Sequence, residues 1–240
     1  GSATAGNVTV RGKATAGHGY ITASADDGNI EFLGAVTAGG DVSARTEEGN
    51  IHYGSTIQSG ANIDLETAKT GNITLDGTVD AAGRIDVNAD ETGSITLRSD
   101  LTSESDARFA TNNGSIFFEG LDTASEDIHV TSKEGNVELM TTGNGDIRDG
   151  WLEDNGDHAV IKSEGGDLTI THTGTGDIDL YSLYALKRAG TDVKDGDIVI
   201  DTVDGDVVAI ITRNPDKNGE ATHITAGSRL ETSGTHIDIG

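Results

Sequence analysis

The sequence has no cysteine, a single proline at Pro215, and only 4% aromatic residues. Without cysteine there is neither a disulfide framework nor a thiolate metal site. With so few aromatics and 34% hydrophobic residues, the large mixed core of an ordinary α/β enzyme is excluded. Positive charge is also scarce, with 16 Lys and Arg against 41 Asp and Glu. Such a chain repels phosphate backbones, so nucleic acid is not an expected partner. The same average argues against an anionic polysaccharide, unless divalent cations bridge. No apolar run approaches the ~18 residues that a membrane-spanning helix needs. The absence of a leader after Gly1-Ser2 fits an internal piece of a longer chain.

Glycine is abundant, with 34 residues, and its placement is periodic. A Gly-Asn/Ser-Ile/Val triplet begins at Gly6, Gly28, Gly49, Gly71, Gly93, Gly114 and Gly135, a period of 21 or 22. Each triplet opens a short alternating segment, as in "NITL" at 72–75 and "SITL" at 94–97. Its inward positions read Ile30, Ile51, Ile73, Ile95, Ile116, Val137, and two residues on, Phe32, Tyr53, Leu75, Leu97, Phe118, Leu139. A second column reads Val36, Ile57, Val79, Leu101, Leu121. A third reads Val42, Ile63, Ile85, Ala107, Ile128, followed two residues later by Ala44, Leu65, Val87, Phe109, Val130. Alternation with period two means strands with one buried face.

Three short strands per 21–22 residues, joined by polar corners, predict an all-β, parallel β-helix (β-solenoid). One coil cannot stand alone. Burying about five aliphatic side chains gains roughly 8–15 kcal/mol, whereas ordering ~22 backbones costs roughly 22–44 kcal/mol. Stacking supplies the rest, because each coil pairs with its neighbours at ~4.8 Å. Parallel connections are overwhelmingly right-handed, which predicts a right-handed coil. The whole chain reads as one β-helix segment, with regular coils over 1–148 and coils with loop excursions over 149–240. Ten or eleven coils are expected. The excursions are "DGWLEDNGD" (149–157), "YSLYALKRAGTDVKDG" (181–196, read as a helical turn or bulged strand) and "RNPDKNGEA" (213–221).

The repeated GNITL…G.V…G.I.V…G pattern resembles filamentous haemagglutinin-like exoproteins of bacterial two-partner secretion, best over residues 6–139. That resemblance implies a stalk segment of a large adhesin. It implies secretion through an outer-membrane transporter partner to the cell surface or medium. It further implies a role in adhesion or biofilm, through contact with a glycan or protein of a host, matrix or neighbouring cell. The secretion domain of that family carries Asn-Pro motifs near its start; here the sole Asn-Pro is Asn214-Pro215.

Rival chemistries have their own residues. Parallel β-helices also carry polysaccharide lyases and hydrolases, which need carboxylates gathered on one face. Asp192, Asp195 and Asp197, or Asp201, Asp204 and Asp206, are the candidates, although DGD here takes the place of the GN corner. Asn214, Asp216 and Asn218 before Gly219 match the first half of a calcium loop, but Thr225 stands where the bidentate Glu belongs. Calcium is therefore a candidate ligand there, with "EDNGD" (153–157) a weaker second. Trp151, Tyr181 and Tyr184, near Arg148, Lys187 and Arg188, concentrate aromatic and basic residues suited to a ligand surface. The plain alternative is that they plug the core where loops depart. His52 and His129 fall on outward positions, where solvation is the simplest expectation. The outward row Glu31, His52, Thr74, Thr96, Phe117 and Glu138 is no ice-binding Thr ladder. The leading expectation is a non-enzymatic adhesin segment.

Overall fold

The computed structural model describes residues 2–119, 128–149, 159–174, 176–180, 182–189, 192–195, 198–202, 207–208 and 229–232. Among them there are strands and no helix. The strands stack into three long sheets, as the alternating columns require. The first runs through Ile51–Tyr53, Ile73–Leu75 and Ile95–Leu97; the second through Ile57–Ser59, Val79–Ala81 and Leu101–Ser103; the third through Ile63–Thr70, Ile85–Ala89 and Ala107–Thr111. They hold nine, nine and ten strands, and every coil-to-coil pairing in them is parallel. The chain is a three-stranded-per-coil β-solenoid.

The reason lies in the side chains. Ile and Val occupy the inward positions, where a β-branched side chain suits a pleated, half-buried surface. In register, Ile51, Ile73, Ile95 and Ile116 lie directly over one another and are fully buried. Phe32 and Tyr53 stack face to face with ring centroids 4.8 Å apart. Each three-residue strand is too short to hold itself; its backbone groups are satisfied by the coils on either side.

Corners are set by glycine. Gly28, Gly49 and Gly71 have φ of 147°, 147° and 136°, a region that favours glycine. A Cβ on Gly93, Gly114, Gly145 or Gly176 would also collide with the carbonyl of the glycine one coil earlier. This column runs Gly71, Gly93, Gly114, Gly145, Gly176, and so corrects the expected periodicity. Gly135 does not belong to it; a Cβ there would meet Ser105 and Asp106, at the entrance to the third sheet.

The coil itself lengthens at that point. Ile116 pairs with Ile147, not Val137, and Ile147 with Ile178. Val137 and Leu139 instead follow Ala107 and Phe109 in the third sheet. Val130 follows Leu101 in the second sheet, with Ile128 two residues before it on the same strand; neither belongs to the third column. Leu121 lies outside the described residues. Coils of 21–22 residues give way to coils of 29–31 from Ile116 onward, ahead of the boundary expected at 148; among the described residues the first sheet holds nine strands and the third ten. Extra residues enter between the first and second sheets at 119–127 and again at 150–158. In the next coil they enter one corner later. There Ser182–Ala189 leaves the second sheet and folds back on Asp192–Asp195 as an antiparallel hairpin, Leu186 opposite Asp195 and Ala189 opposite Asp192. The segment expected as a helical turn or bulged strand is this hairpin.

Candidate functional site

The solenoid displays its polar residues in rows along the axis, and these rows are the candidate interaction surface. At the corner before the first sheet, each Asx or Ser side chain accepts the backbone N–H one coil later. Asn29 N–H donates to Asn7 Oδ1 (2.9 Å), Asn50 N–H to Asn29 Oδ1 (2.8 Å) and Asn72 N–H to Asn50 Oδ1 (2.8 Å). The row continues through Ser94, Ser115 and Asp146 to Asp177. It crosses the change in coil length without a break. A parallel row at the entrance to the third sheet uses Asp41, Asn62, Asp106 and Asn136. Corner donors that neighbouring strands cannot reach are thereby satisfied.

A second polar row is buried. Thr46, Thr67, Thr111, Thr141 and His172 close the inward face of the third sheet. The Thr46 and Thr111 hydroxyls donate to the carbonyls of Gly28 (2.9 Å) and Gly93 (2.8 Å). His172 Nε2 lies 2.6 Å from the Gly145 carbonyl oxygen. The apolar columns do not announce this row. Its signal is a Thr recurring four residues after the first inward residue of the third strand.

Charge is arranged between coils as well. Arg84 bridges Asp64 and Asp86, Arg98 bridges Asp76 and Glu119, and Arg108 bridges Asp86 and Glu138. Burial opposes the charge on Arg98, but hydrogen bonds to Glu119 and Asp76 raise its pKa above the ordinary value. Asp64 is pushed up, chiefly by desolvation; Arg84 opposes the rise, and repulsion from Asp86 and Asp41 adds to it. The Lys69 ammonium holds Glu47 below the usual carboxylate range. His52 and His129 are not simply solvated: His52 Nε2 lies 2.7 Å from Asp76 Oδ2, and His129 Nδ1 lies 3.6 Å from Asp100 Oδ1. A shallow groove of ≈ 190 Å³ opens among Arg84, Asp86, Asp106, Arg108, Asn136 and Glu138. It is smaller than the ~300–1,000 Å³ of an ordinary ligand site.

Of the residues singled out from sequence, the described ones fall on two sheets. Arg148 takes an outward position of the first sheet, in register with Phe117 and Asp179. Its guanidinium reaches Asp146 (3.1 Å) and Asp177 (3.3 Å), while its Nε is buried without a partner. Tyr184 stands on the second sheet in register with Lys162. Lys187 and Arg188 lie beyond it on the hairpin, opposite Lys194 and Val193. Arg148 and this group therefore belong to different sheets. Trp151, Tyr181, Asn214, Asp216 and Asn218 lie outside the described residues, as do Asp197, Asp204, Asp206 and the 153–157 segment. Asp192 and Asp195 sit on the hairpin strand and Asp201 on the third sheet. Among the described residues, no three His, Asp or Glu side chains form a group able to hold a metal ion, and no helix is long and apolar enough to cross a membrane.

No family model matches the chain, and neither the curated proteins nor the solved structures contain a match. The haemagglutinin-like resemblance rests on the repeat pattern, which a solenoid shape does not by itself assign to one family.

Proposed function

We propose that this chain is a non-enzymatic, extracellular β-solenoid segment of a large bacterial surface or secreted adhesin. In this reading it leaves the cell through an outer-membrane transporter partner and holds contact surfaces away from the cell. The observation that supports it is the uninterrupted row of corner hydrogen bonds from Asn7 to Asp177. Each coil is fastened to the next by strand pairing, by this row and by bridging Arg side chains. Rigidity then comes from repetition, and local surface residues are free to differ from coil to coil. A stalk needs that combination.

The test is adhesion measured beside catalysis. Beads coated with the purified chain are expected to attach to bacterial biofilm matrix or host cells above the level of beads coated with an unrelated acidic protein. No reducing ends should be released from a panel of polysaccharides. Release of reducing ends by the pure chain would replace this reading with a carbohydrate-active enzyme. Attachment equal to the acidic control would leave a spacer with no adhesive role.

A further inference from the structure

The net charge of −25 is unevenly distributed. The first acidic residue in the chain is Asp26. On the second sheet, residues 11–19, 33–40 and 54–61 contain no Asp or Glu through three successive coils; Asp41, which takes the place of Tyr20 one coil later, closes the far corner. The fourth coil restores acid on the same face with Asp76 and Asp80. The third sheet is acidic from its second strand on, with Asp26, Asp27, Glu47 and Glu48, while on the first sheet Glu31 stands between Val8–Val10 and Ile51–Tyr53, which carry no acid.

Two cations stand on this acid-free face. Arg11 occupies one corner and Lys13 the approach to the strand, and both are exposed. Among the described side chains, eight other Lys and Arg residues are ion-paired, from Arg45 to Lys162. Arg11 and Lys13 have no acidic partner among the described residues. In a protein that otherwise uses its few cations to tie carboxylates together, these two are left for something outside the chain.

The surface around them is partly apolar. Tyr20, at the opposite corner, is 74% exposed and Leu33, over Arg11, is 39% exposed. Glycine columns flank the strands: a Cβ on Gly34 would meet the Gly12 backbone at 2.5 Å, and one on Gly39 would collide with the Gly17 carbonyl. Between them the outward row is Thr15, Thr37 and Gln58, one hydrogen-bonding side chain per coil.

We propose that this face binds an anionic polysaccharide of low charge density, a uronate-bearing chain, with Arg11 and Lys13 pairing its carboxylates and Tyr20 offering a stacking platform for a sugar ring. The charge pairing is complementary, and Arg matches a carboxylate with a two-pronged hydrogen-bonding geometry. An aromatic edge beside hydroxyl and amide donors suits a ring with one apolar face and a polar rim. Arg11, Lys13, Thr15 and Tyr20 follow one another on a single coil, so a sugar chain laid along that coil meets them in turn, with Thr37 and Gln58 at the positions equivalent to Thr15 on the next two coils. Two cations bordered by Glu31 and Asp41 match a chain with at most one charge per sugar, and repel a densely sulfated one. This ligand class deepens the adhesive reading and rests on it, yet its failure is separable, because attachment of coated beads can persist through another face.

The experiment is retention of the purified chain on immobilised polygalacturonate, dextran sulfate and neutral dextran, over a salt series. Retention is expected on polygalacturonate alone, fading as salt rises. The charge-reversed pair Arg11→Glu with Lys13→Glu should weaken it by roughly 10–100-fold, the value of one or two hydrogen bonds to charged groups. Tyr20→Ala should weaken it by about 5-fold, the value of one aromatic contact. Lys69→Glu, on the third sheet, should leave it unchanged. All four substituted residues are exposed, and circular dichroism checks that the fold is kept. The proposal is overturned by equal retention on neutral dextran, by stronger retention on dextran sulfate, by no retention at all, or by retention that charge reversal does not change. It is also overturned if sedimentation shows the chain self-associating through Arg11 and Lys13, since the face then serves a second acidic copy.

Discussion

The coils before Ile116 and those after it are built on the same three columns with very different lengths of chain. Before it, a coil closes in 21–22 residues; after it, 29–31 are needed. Nothing inside registers the change: Ile95, Ile116, Ile147 and Ile178 are all fully buried and paired in register. The difference lies wholly at corners, and the same corner is not always used. Two coils insert between the first and second sheets, and the third inserts a hairpin between the second and third. Core columns are set by stacking, where every residue answers to two neighbours. Corners answer to solvent, where chain can be added at little cost.

The sharpest way to break this comparison is to charge one fully buried isoleucine in each region, Ile95 on the first sheet and Ile170 on the third. Ile95→Asp buries an unpaired carboxylate among short coils, at a cost of about 4 kcal/mol or more. Solenoid stability is carried by nearest neighbours, so loss of that coil is expected to unfold the array on both sides. Ile170→Asp, among the long coils, should unfold only the later ones. Urea titration by circular dichroism should then show two transitions for Ile170→Asp and one for Ile95→Asp. A single transition for both would mean that the regions form one cooperative unit despite their different corners.

The seam between the regions can be tested directly. Gly145 is the first glycine of its column reached across a long coil, and a Cβ there would press on the Gly114 carbonyl. Gly145→Ala forces the backbones apart and is expected to cost roughly 1–3 kcal/mol, as overpacking does. Limited proteolysis should cut the variant after residue 145 while leaving the earlier coils intact. Gly135→Ala makes a useful companion, because that glycine belongs to a different column. It should disturb the third-sheet entrance at Asp106 and leave Gly114 and Gly145 in contact.

The regular half was legible from sequence because aliphatic residues returning every 21–22 positions, in three separate columns, are all buried at once only when successive coils stack. The change of period was not, and Gly135-Asn136-Val137 shows why. Corners before the first and third sheets use the same Gly-Asx chemistry, since both must satisfy an N–H from the next coil. A third-sheet entrance can thus pass for a first-sheet one. The spacing of Gly114, Gly145, Gly176 and Gly205 carried the longer period, but it competes with other GD pairs at 166 and 196. The binding face was hidden for a different reason. Averaging charge over the whole chain argued against anionic ligands, whereas folding gathers three acid-free stretches, about 22 residues apart, onto one face.

A smaller effect sharpens the picture of the short coils. Tyr53 fills a column otherwise occupied by Phe32 and Leu75, and its hydroxyl is buried without a partner. Tyr53→Phe keeps the stack on Phe32 and removes the orphaned group, which should stabilise by about 1 kcal/mol and raise Tm by about 2–4 °C. Burial pushes the phenol pKa of Tyr53 well above its ordinary value. The folded form thus holds the proton while the unfolded chain loses it near pH ~10. Stability tied to Tyr53 is intact below that pH and declines as pH rises above it. Thermal melts at pH 8 and pH 11 should show a smaller alkaline loss for the variant than for the parent.

The smallest effect concerns the one described non-glycine residue with positive φ, Glu91 at 56°. It sits in the turn Asp90-Glu91-Thr92, where the Thr92 N–H donates to the Asp90 carbonyl (2.8 Å), just after Ile85–Ala89. A side chain in the left-handed region costs about 1–2 kcal/mol, because its Cβ crowds the following carbonyl. Glycine removes that crowding but gives the unfolded chain more freedom, which returns about 0.5–1 kcal/mol. Glu91→Gly is therefore expected to stabilise by about 0.5 kcal/mol, and Glu91→Asn, which tolerates this conformation, by a similar amount. Both would be read as a rise of about 1–2 °C in Tm. If both substitutions lower Tm, the Glu91 side chain is stabilising this corner through a contact, and the corners of the short coils are then not the passive connectors that the inserts of the long coils suggest.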